Sequence, residues 1–129
     1  MANVTVTFDR IDVGSDGDPG DTDGGGDFFW KLSVNGSAVS QRTESNPLVV
    51  RNGGVIDLNR SRSIELRPEE VLTVSGYLND RDQGTSGADE TDSFEHEYDQ
   101  SQNWGDGTHQ VPLNDRDMAC TLHYSVTED

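Results

Sequence analysis

The chain has 129 residues, which suits one domain; only 30% of them are apolar, and glycine occupies 14 positions. This composition favours strands joined by long loops over a helical bundle, which requires sustained apolar stripes. Asp and Glu total 25 against nine Lys and Arg, so the formal net charge is −16. Such a surface repels nucleic acid and anionic lipid; we therefore expect cations or a protein as partners, no nucleic acid and no membrane binding.

Apolar and polar residues alternate along most of the chain, a pattern that predicts half-buried strands. The predicted strands are residues 4–8, 28–34, 48–51, 55–58, 64–66, 72–78, 94–98, 109–113 and 118–126. Gly53 and Gly54 are interpreted as a hairpin turn between two of them. No helical periodicity persists for three turns. About eight strands, each apolar on one face, predict an all-β, two-sheet antiparallel sandwich, with residues 1–129 as a single domain.

Two acidic segments, residues 12–27 and 79–92, interrupt the strands. The first contains six Asp and six Gly among sixteen residues, and the second begins and ends with acidic clusters. Calcium takes about six to eight oxygen ligands, largely from carboxylates and carbonyls, and glycine lets the backbone turn so that these groups converge. We interpret both segments as candidate Ca²⁺-binding loops. The alternatives are solvated acidic turns and a generally acidic, halophilic surface.

An EF-hand does not account for the first segment. A loop that starts at Asp12 has no acidic third position and no terminal Glu, and no helices flank it.

The stretch Asp27-Phe-Phe-Trp-Lys-Leu resembles Asp-Pro-Tyr-Val-Lys-Leu, the segment that opens the second strand of C2 domains. That family has another loop aspartate six residues upstream, and Asp21 has this spacing here. The family's second calcium loop follows a strand and reads Asp-x-Asp, with a third Asp before an aromatic strand start. The residues that match this pattern are Asp80, Asp82, Asp89 and Phe94.

The C2 resemblance implies a sandwich with both acidic loops at one end, where two or three Ca²⁺ ions bind. The first loop is longer than in the family and lacks the proline after Asp27, so Asp16, Asp18 or Asp23 could replace Asp21. The resemblance covers residues 4–98 and has no counterpart for residues 99–126. The candidate metal ligands are Asp16, Asp18, Asp21, Asp27, Asp80, Asp82 and Asp89.

The motif Leu-Asn-Asp-Arg-Asp occurs at residues 78–82 and again at residues 113–117. If every connection between residues 93 and 118 reverses the chain, the second copy, with Asp115 and Asp117, lies at the calcium end. The C2 comparison allows one reversal and predicts the opposite end. We favour a hairpin turn stabilised by Asn and Asp side chains for this second copy.

Other residues give weaker signals for a site. The histidines at 96, 109 and 123 are too far apart in sequence for a typical zinc motif, and His123 is predicted to face outward. Cys120, the only cysteine, follows the inward alternation and is expected to be buried. Trp104 is expected to anchor its own turn on the core.

No catalytic motif is present, so we expect a non-enzymatic module. No serine lies in a Gly-x-Ser-x-Gly elbow, and the abundance of acids makes a glycosidase-like pair of carboxylates uninformative. The sequence favours a calcium-binding module for calcium-dependent protein interaction. The alternative is a carbohydrate-binding or hydrolytic β-sandwich with a structural calcium ion.

Overall fold

A computed structural model of the chain describes residues 1–16, 25–81, 90–115 and 118–129, except for the side chains of residues 15, 16 and 25. In these ranges nine strands form two antiparallel sheets, which confirms the predicted all-β sandwich. The strands are β1 (Ala2–Asp16), β2 (Gly25–Val34), β3 (Ser37–Arg42), β4 (Leu48–Arg51), β5 (Val55–Leu66), β6 (Leu72–Arg81), β7 (Glu90–Tyr98), β8 (Gly107–Asp115) and β9 (Met118–Glu128). No helix in these ranges is long and apolar enough to cross a membrane.

One sheet has the strand order β5-β1-β9-β8, and the other has the order β3-β2-β6-β7, with β4 also paired to β2. A 3-10 segment, Gln100–Gly105, connects β7 to β8. The two sheets therefore have their edge strands side by side, with β7 next to β8 at one open edge and β3 next to β5 at the other.

The core lies between the sheets and is built by the predicted alternation. Phe28, Trp30 and Leu32 of β2 are buried, and Leu122 and Tyr124 of β9 are buried opposite them. Each such side chain stabilises the fold by roughly 1.5–3 kcal/mol through removal of apolar surface from water. The expected burial of Cys120 and Trp104 is confirmed, with 3% and 2% of their surfaces exposed.

The strand prediction was wrong at two places. β3 was missed, because Ser37–Arg42 contains one large aliphatic residue and gives almost no alternation. The predicted strands at 55–58 and 64–66 form a single strand, since the polar residues between them still pair with β1. Backbone hydrogen bonds extend these strands where the side chains give no apolar signal.

The turn at Gly53 and Gly54 is not a hairpin, because β4 pairs with β2 whereas β5 pairs with β1. The Gly53 N–H donates to the Val13 carbonyl over 2.7 Å, and the Val13 N–H donates to the Gly54 carbonyl over 2.9 Å. The turn is thus attached to β1 and carries the chain from one sheet to the other.

The acidic segments are also shorter than predicted. β1 continues to Asp16 by pairing with β9, and β2 already begins at Gly25 by pairing with β4. Similarly, Asn79–Arg81 belong to β6 and Glu90–Asp92 to β7. Strand pairing requires only backbone groups, so Asp and Gly at these positions do not end the strands. Residues 17–24 and 82–89 lie outside the described part.

Candidate metal centre

The residues that flank both acidic segments lie at one end of the sandwich, which we call the acidic end. Asp27 pairs with Arg81 across β2 and β6, and Asp80 pairs with Glu90 across β6 and β7. In the other sheet, Met118 of β9 pairs with Asp16 of β1. The Met118 N–H donates to Glu90 Oε2 over 2.9 Å and so connects the two sheets. The described residues on both sides of each acidic segment therefore lie at this end of the sandwich.

Asp80 and Glu90 face each other across the ladder of β6 and β7. They are the two buried carboxylates among the described residues, with 7% and 8% of their surfaces exposed. Residues directly opposite in an antiparallel pair have Cβ atoms about 4.5–5.5 Å apart. Two carboxylates at this spacing, away from bulk water, repel each other unless protons, donors or a cation compensate their charge.

Backbone amides provide part of that compensation. The Asp27 N–H donates to Asp80 Oδ1 over 3.1 Å, and the Met118 N–H donates to Glu90 Oε2. The Asp27 side chain is half-buried, and its neighbour Phe28, which pairs with Asp80, points into the core. Alternation therefore places the Asp27 side chain on the opposite face of the sheet from the two buried carboxylates, and Asp27 contacts Asp80 through its backbone N–H.

Two further carboxylates join the sheets at the acidic end. Asp92 Oδ2 accepts the N–H of Asn114, and Asp115 Oδ2 accepts the N–H of Thr91, both over 2.9 Å. Each bond connects β7 of one sheet with β8 of the other. Asp92 and Asp115 therefore have a structural role in closing this edge of the sandwich.

The position of Asp115 also decides between the two placements of the repeated motif. The chain reverses direction between β7 and β8 and again between β8 and β9, so Asp115 lies at the same end as Asp80. The C2 comparison predicted that this copy lies at the opposite end. That prediction is wrong, because the chain also reverses its direction at the 3-10 segment between β7 and β8. The pairing of β8 with β9 confirms the hairpin, while its stabilisation by Asn and Asp side chains stays a prediction. Asp117 lies outside the described residues.

Of the candidate metal ligands, the structure brings Asp27 and Asp80 together on adjacent strands. Asp16 is the last residue of β1, but its side chain is not described. The candidates outside the described residues are Asp18, Asp21, Asp82 and Asp89, together with Asp23.

Sequence reasoning missed Glu90 as a member of this centre. Its signal was its alternation with Asp92 and Phe94, which places it on the same face of β7. Within the described ranges, no group of three or more His, Cys, Asp or Glu side chains is arranged to hold a metal ion.

His123 lies away from the acidic end, on the outer face of its sheet. Its Nε2 atom is 2.7 Å from Asp12 Oδ2, and the Arg10 Nε–H donates to Asp12 Oδ1 over 3.1 Å. Desolvation by burial raises the pKa of Asp12, but the bonds to His123 and Arg10 outweigh it and hold that pKa below its usual value. His96 and His109 lie near each other at the β7–β8 edge, with Tyr98 and Tyr124.

Comparison with solved structures shows which class of fold this is. The C2A domain of plant extended synaptotagmin 1 matches with a TM-score of 0.53 and 12% sequence identity, over 99% of this chain and 94% of that one. A further C2 domain matches with a TM-score of 0.47 and 14% identity, over 100% of this chain and 99% of that one. A C2 domain protein from Ramazzottius varieornatus also matches with a TM-score of 0.47 and 14% identity, over 98% of this chain and 88% of that one. The chain has a C2-like fold, which confirms the resemblance noted in the sequence.

No protein-family model matches the chain, and no curated protein matches it by sequence. At these levels of identity the structural likeness shows the fold of this β-sandwich module alone, because unrelated functions share the same fold.

Proposed function

We propose that the protein is a calcium-binding β-sandwich module whose acidic end binds two or three Ca²⁺ ions. The observation that supports this most directly is the burial of Asp80 and Glu90 opposite each other. A divalent cation between or beside two such carboxylates removes their repulsion and takes oxygen ligands of the kind that calcium prefers.

The ligands would come from three strands and the two segments that the strands flank. Asp80 and Glu90 would supply buried oxygens, and Asp27 lies on the adjacent strand. The remaining oxygens would come from the other acidic candidates: Asp16, Asp18, Asp21, Asp82 and Asp89. Bound calcium would hold the two acidic segments together at this end and so present a surface to a protein partner.

A melting experiment tests this function. We expect millimolar Ca²⁺ to raise the melting temperature relative to chelator, because a ligand of the folded state stabilises it by about 2.7 kcal/mol at 100 times its Kd. We also expect Ca²⁺ to protect residues 17–24 and 82–89 from a protease that cleaves at aspartate. Mg²⁺ at equal concentration is the control for charge screening. An unchanged melting curve, or an equal shift with Mg²⁺, would contradict the proposal.

The carbohydrate-binding alternative has less support. Sugar-binding surfaces typically use exposed aromatic rings, whereas Trp30 and Trp104 are buried, with 5% and 2% of their surfaces exposed. Trp30 also donates its indole N–H to Ser40 Oγ over 3.0 Å, which fixes it within the sandwich. Neither tryptophan is available as a platform for a sugar ring.

A further inference from the structure

Four polar aromatic side chains meet at the open edge between β7 and β8. We call them the His–Tyr cluster: His96 and Tyr98 from β7, His109 from β8 and Tyr124 from β9. His96 Nδ1 is 3.2 Å from the Tyr124 hydroxyl, which is 2.6 Å from the Tyr98 hydroxyl. The Tyr98 hydroxyl is in turn 3.5 Å from His109 Nδ1. Two imidazole nitrogens and two phenol oxygens are thus linked in a row.

We propose that the His–Tyr cluster is a binding site for a transition-metal ion, with Cu(II) as the ion that its donors fit best. A set of two nitrogen and two oxygen donors suits Cu(II), which also binds such donors more tightly than the other divalent first-row ions do. With bonds of about 2.0–2.1 Å, neighbouring ligand atoms lie about 2.8–3.4 Å apart in square-planar or tetrahedral sites. Of the three successive separations in the cluster, 3.2 Å lies within this range, and 2.6 and 3.5 Å lie within about 0.2 Å of its limits, so binding requires only small shifts of the donor atoms.

The orientation of His109 is the second observation in favour of a metal site. Its Nε2 atom lies 2.5 Å from the Gly105 carbonyl oxygen and therefore carries the proton that is donated there. In the neutral ring this leaves the Nδ1 lone pair directed at Tyr98. Metal-binding histidines are commonly fixed in this way, by donating the other ring N–H to a backbone carbonyl.

Gly105 is adapted to this arrangement. Its φ is +75°, and a Cβ atom at this position would lie 2.7 Å from the Tyr98 ring. Only glycine therefore lets the backbone pass close enough to support Tyr98 while its carbonyl accepts from His109. Gly105 is a positioning residue for two of the four proposed ligands.

An ion can reach the cluster without unfolding of the core, because His96, Tyr98 and His109 are only half-buried at the open edge between β7 and β8. Tyr124 itself is 2% exposed and lies behind the other three side chains. A bound Cu(II) ion would replace the phenol protons, which leave to solvent.

The His–Tyr cluster is separate from the acidic end. His96 lies six residues along β7 from Glu90, which corresponds to roughly 20 Å of extended strand. The two sites can therefore be tested independently, and this proposal does not rest on calcium binding.

Titration of the intact chain with Cu(II), in the presence of excess glycine as a competing ligand, tests the proposal. Glycine suppresses weak binding to the many surface carboxylates. We expect saturation at one Cu(II) per chain, a visible absorption band from phenolate-to-Cu(II) charge transfer, and an electron paramagnetic resonance signal of nitrogen and oxygen ligation. The absorption band is decisive, because phenolate ligation requires the tyrosines.

Variants locate the bound ion. His109→Gln should weaken Cu(II) binding at least about tenfold, and Tyr98→Phe should reduce the visible band while keeping the ring that packs on Gly105. The matched control is His123→Gln, which removes a histidine from the outer face and should leave affinity and band unchanged. Asp80→Asn should also leave both unchanged. Melting curves without copper establish that each variant is folded.

Three results would overturn the proposal. The absence of a saturable Cu(II) site in the unmodified protein, or of the visible band, would mean that the cluster is a hydrogen-bonded network only. An equal loss of binding in His123→Gln would place the ion elsewhere. If His109→Gln does not fold, Tyr98→Phe decides, since an undiminished band in this variant excludes the cluster.

Discussion

Asp80 and Glu90 lie directly opposite each other in the ladder between β6 and β7, and both carboxylates are buried. Each accepts a backbone N–H, from Asp27 and Met118 respectively, so the neighbouring strands hold the two groups in place. The fold therefore keeps two like charges close together, where donors or a cation have to compensate their repulsion. In the proposed function, a bound cation contributes to this compensation.

Asp80→Asn should change stability in opposite directions with and without calcium. In chelator we expect a melting temperature at least equal to that of the unmodified protein, because repulsion with Glu90 is lost and the Asn oxygen can still accept from Asp27. In calcium we expect at least about tenfold weaker binding, or roughly 1.4 kcal/mol less stabilisation.

The matched control for Asp80→Asn is Glu65→Gln, which removes the same charge from an exposed position on β5. Its response to calcium should equal that of the unmodified protein. If calcium raises the melting temperature of both variants equally, the response depends only on net charge. If Asp80→Asn melts at a lower temperature than the unmodified protein in chelator, Asp80 and Glu90 do not repel each other in the folded protein.

Asp12→Asn should lower stability at neutral pH but not in acid. Desolvation raises the pKa of Asp12, but the bonds to His123 and Arg10 lower it overall. The stabilising effect of the Asp12 carboxylate is therefore present above the usual carboxyl pKa and is lost as the pH falls through the lowered pKa. The Asp12 side chain is 43% exposed, so we expect less than about 1 kcal/mol. Urea unfolding of both proteins from pH 7 to pH 2 measures this, and a difference independent of pH would contradict it.

Gly105→Ala should destabilise the protein more than Gly36→Ala. Both glycines have positive φ, +75° and +84°, so both substitutions add left-handed strain of about 1–2 kcal/mol. Only at position 105 would the new methyl group also meet a neighbour, the Tyr98 ring, which should add about 1–3 kcal/mol. Denaturant unfolding gives both values. Equal losses would show that the Tyr98 ring moves away freely.

We expect no binding to phosphatidylserine vesicles, with or without calcium. Three Ca²⁺ ions would still leave a net charge of about −10, which an anionic surface repels. Residues 17–24 and 82–89 contain no Phe, Leu or Trp to insert below the headgroups. Co-sedimentation with such vesicles is the measurement. Calcium-dependent binding that Asp80→Asn abolishes would contradict this prediction.

Hydrophobic alternation predicted the strands that bury a large side chain at every second position, such as β2 and β9, because side chains on a strand alternate strictly between its faces. It failed for β3 and for the middle of β5, where small and polar residues pair through their backbones alone. Short acidic motifs predicted that Asp27 and Asp80 bind the same ions; the two residues lie on adjacent strands, and their joint role as ligands stays a prediction.

The sequence by itself determined the sandwich, its buried face and its acidic character, because these depend on composition and on a local period of two residues. The tertiary structure alone decided that Glu90 opposes Asp80, that Asp115 lies at the acidic end, and that His96 and His109 meet Tyr98 and Tyr124. Such relations depend on strand order and register between residues distant in the chain. No local pattern encodes them, since many pairings of the same strands satisfy the same alternation.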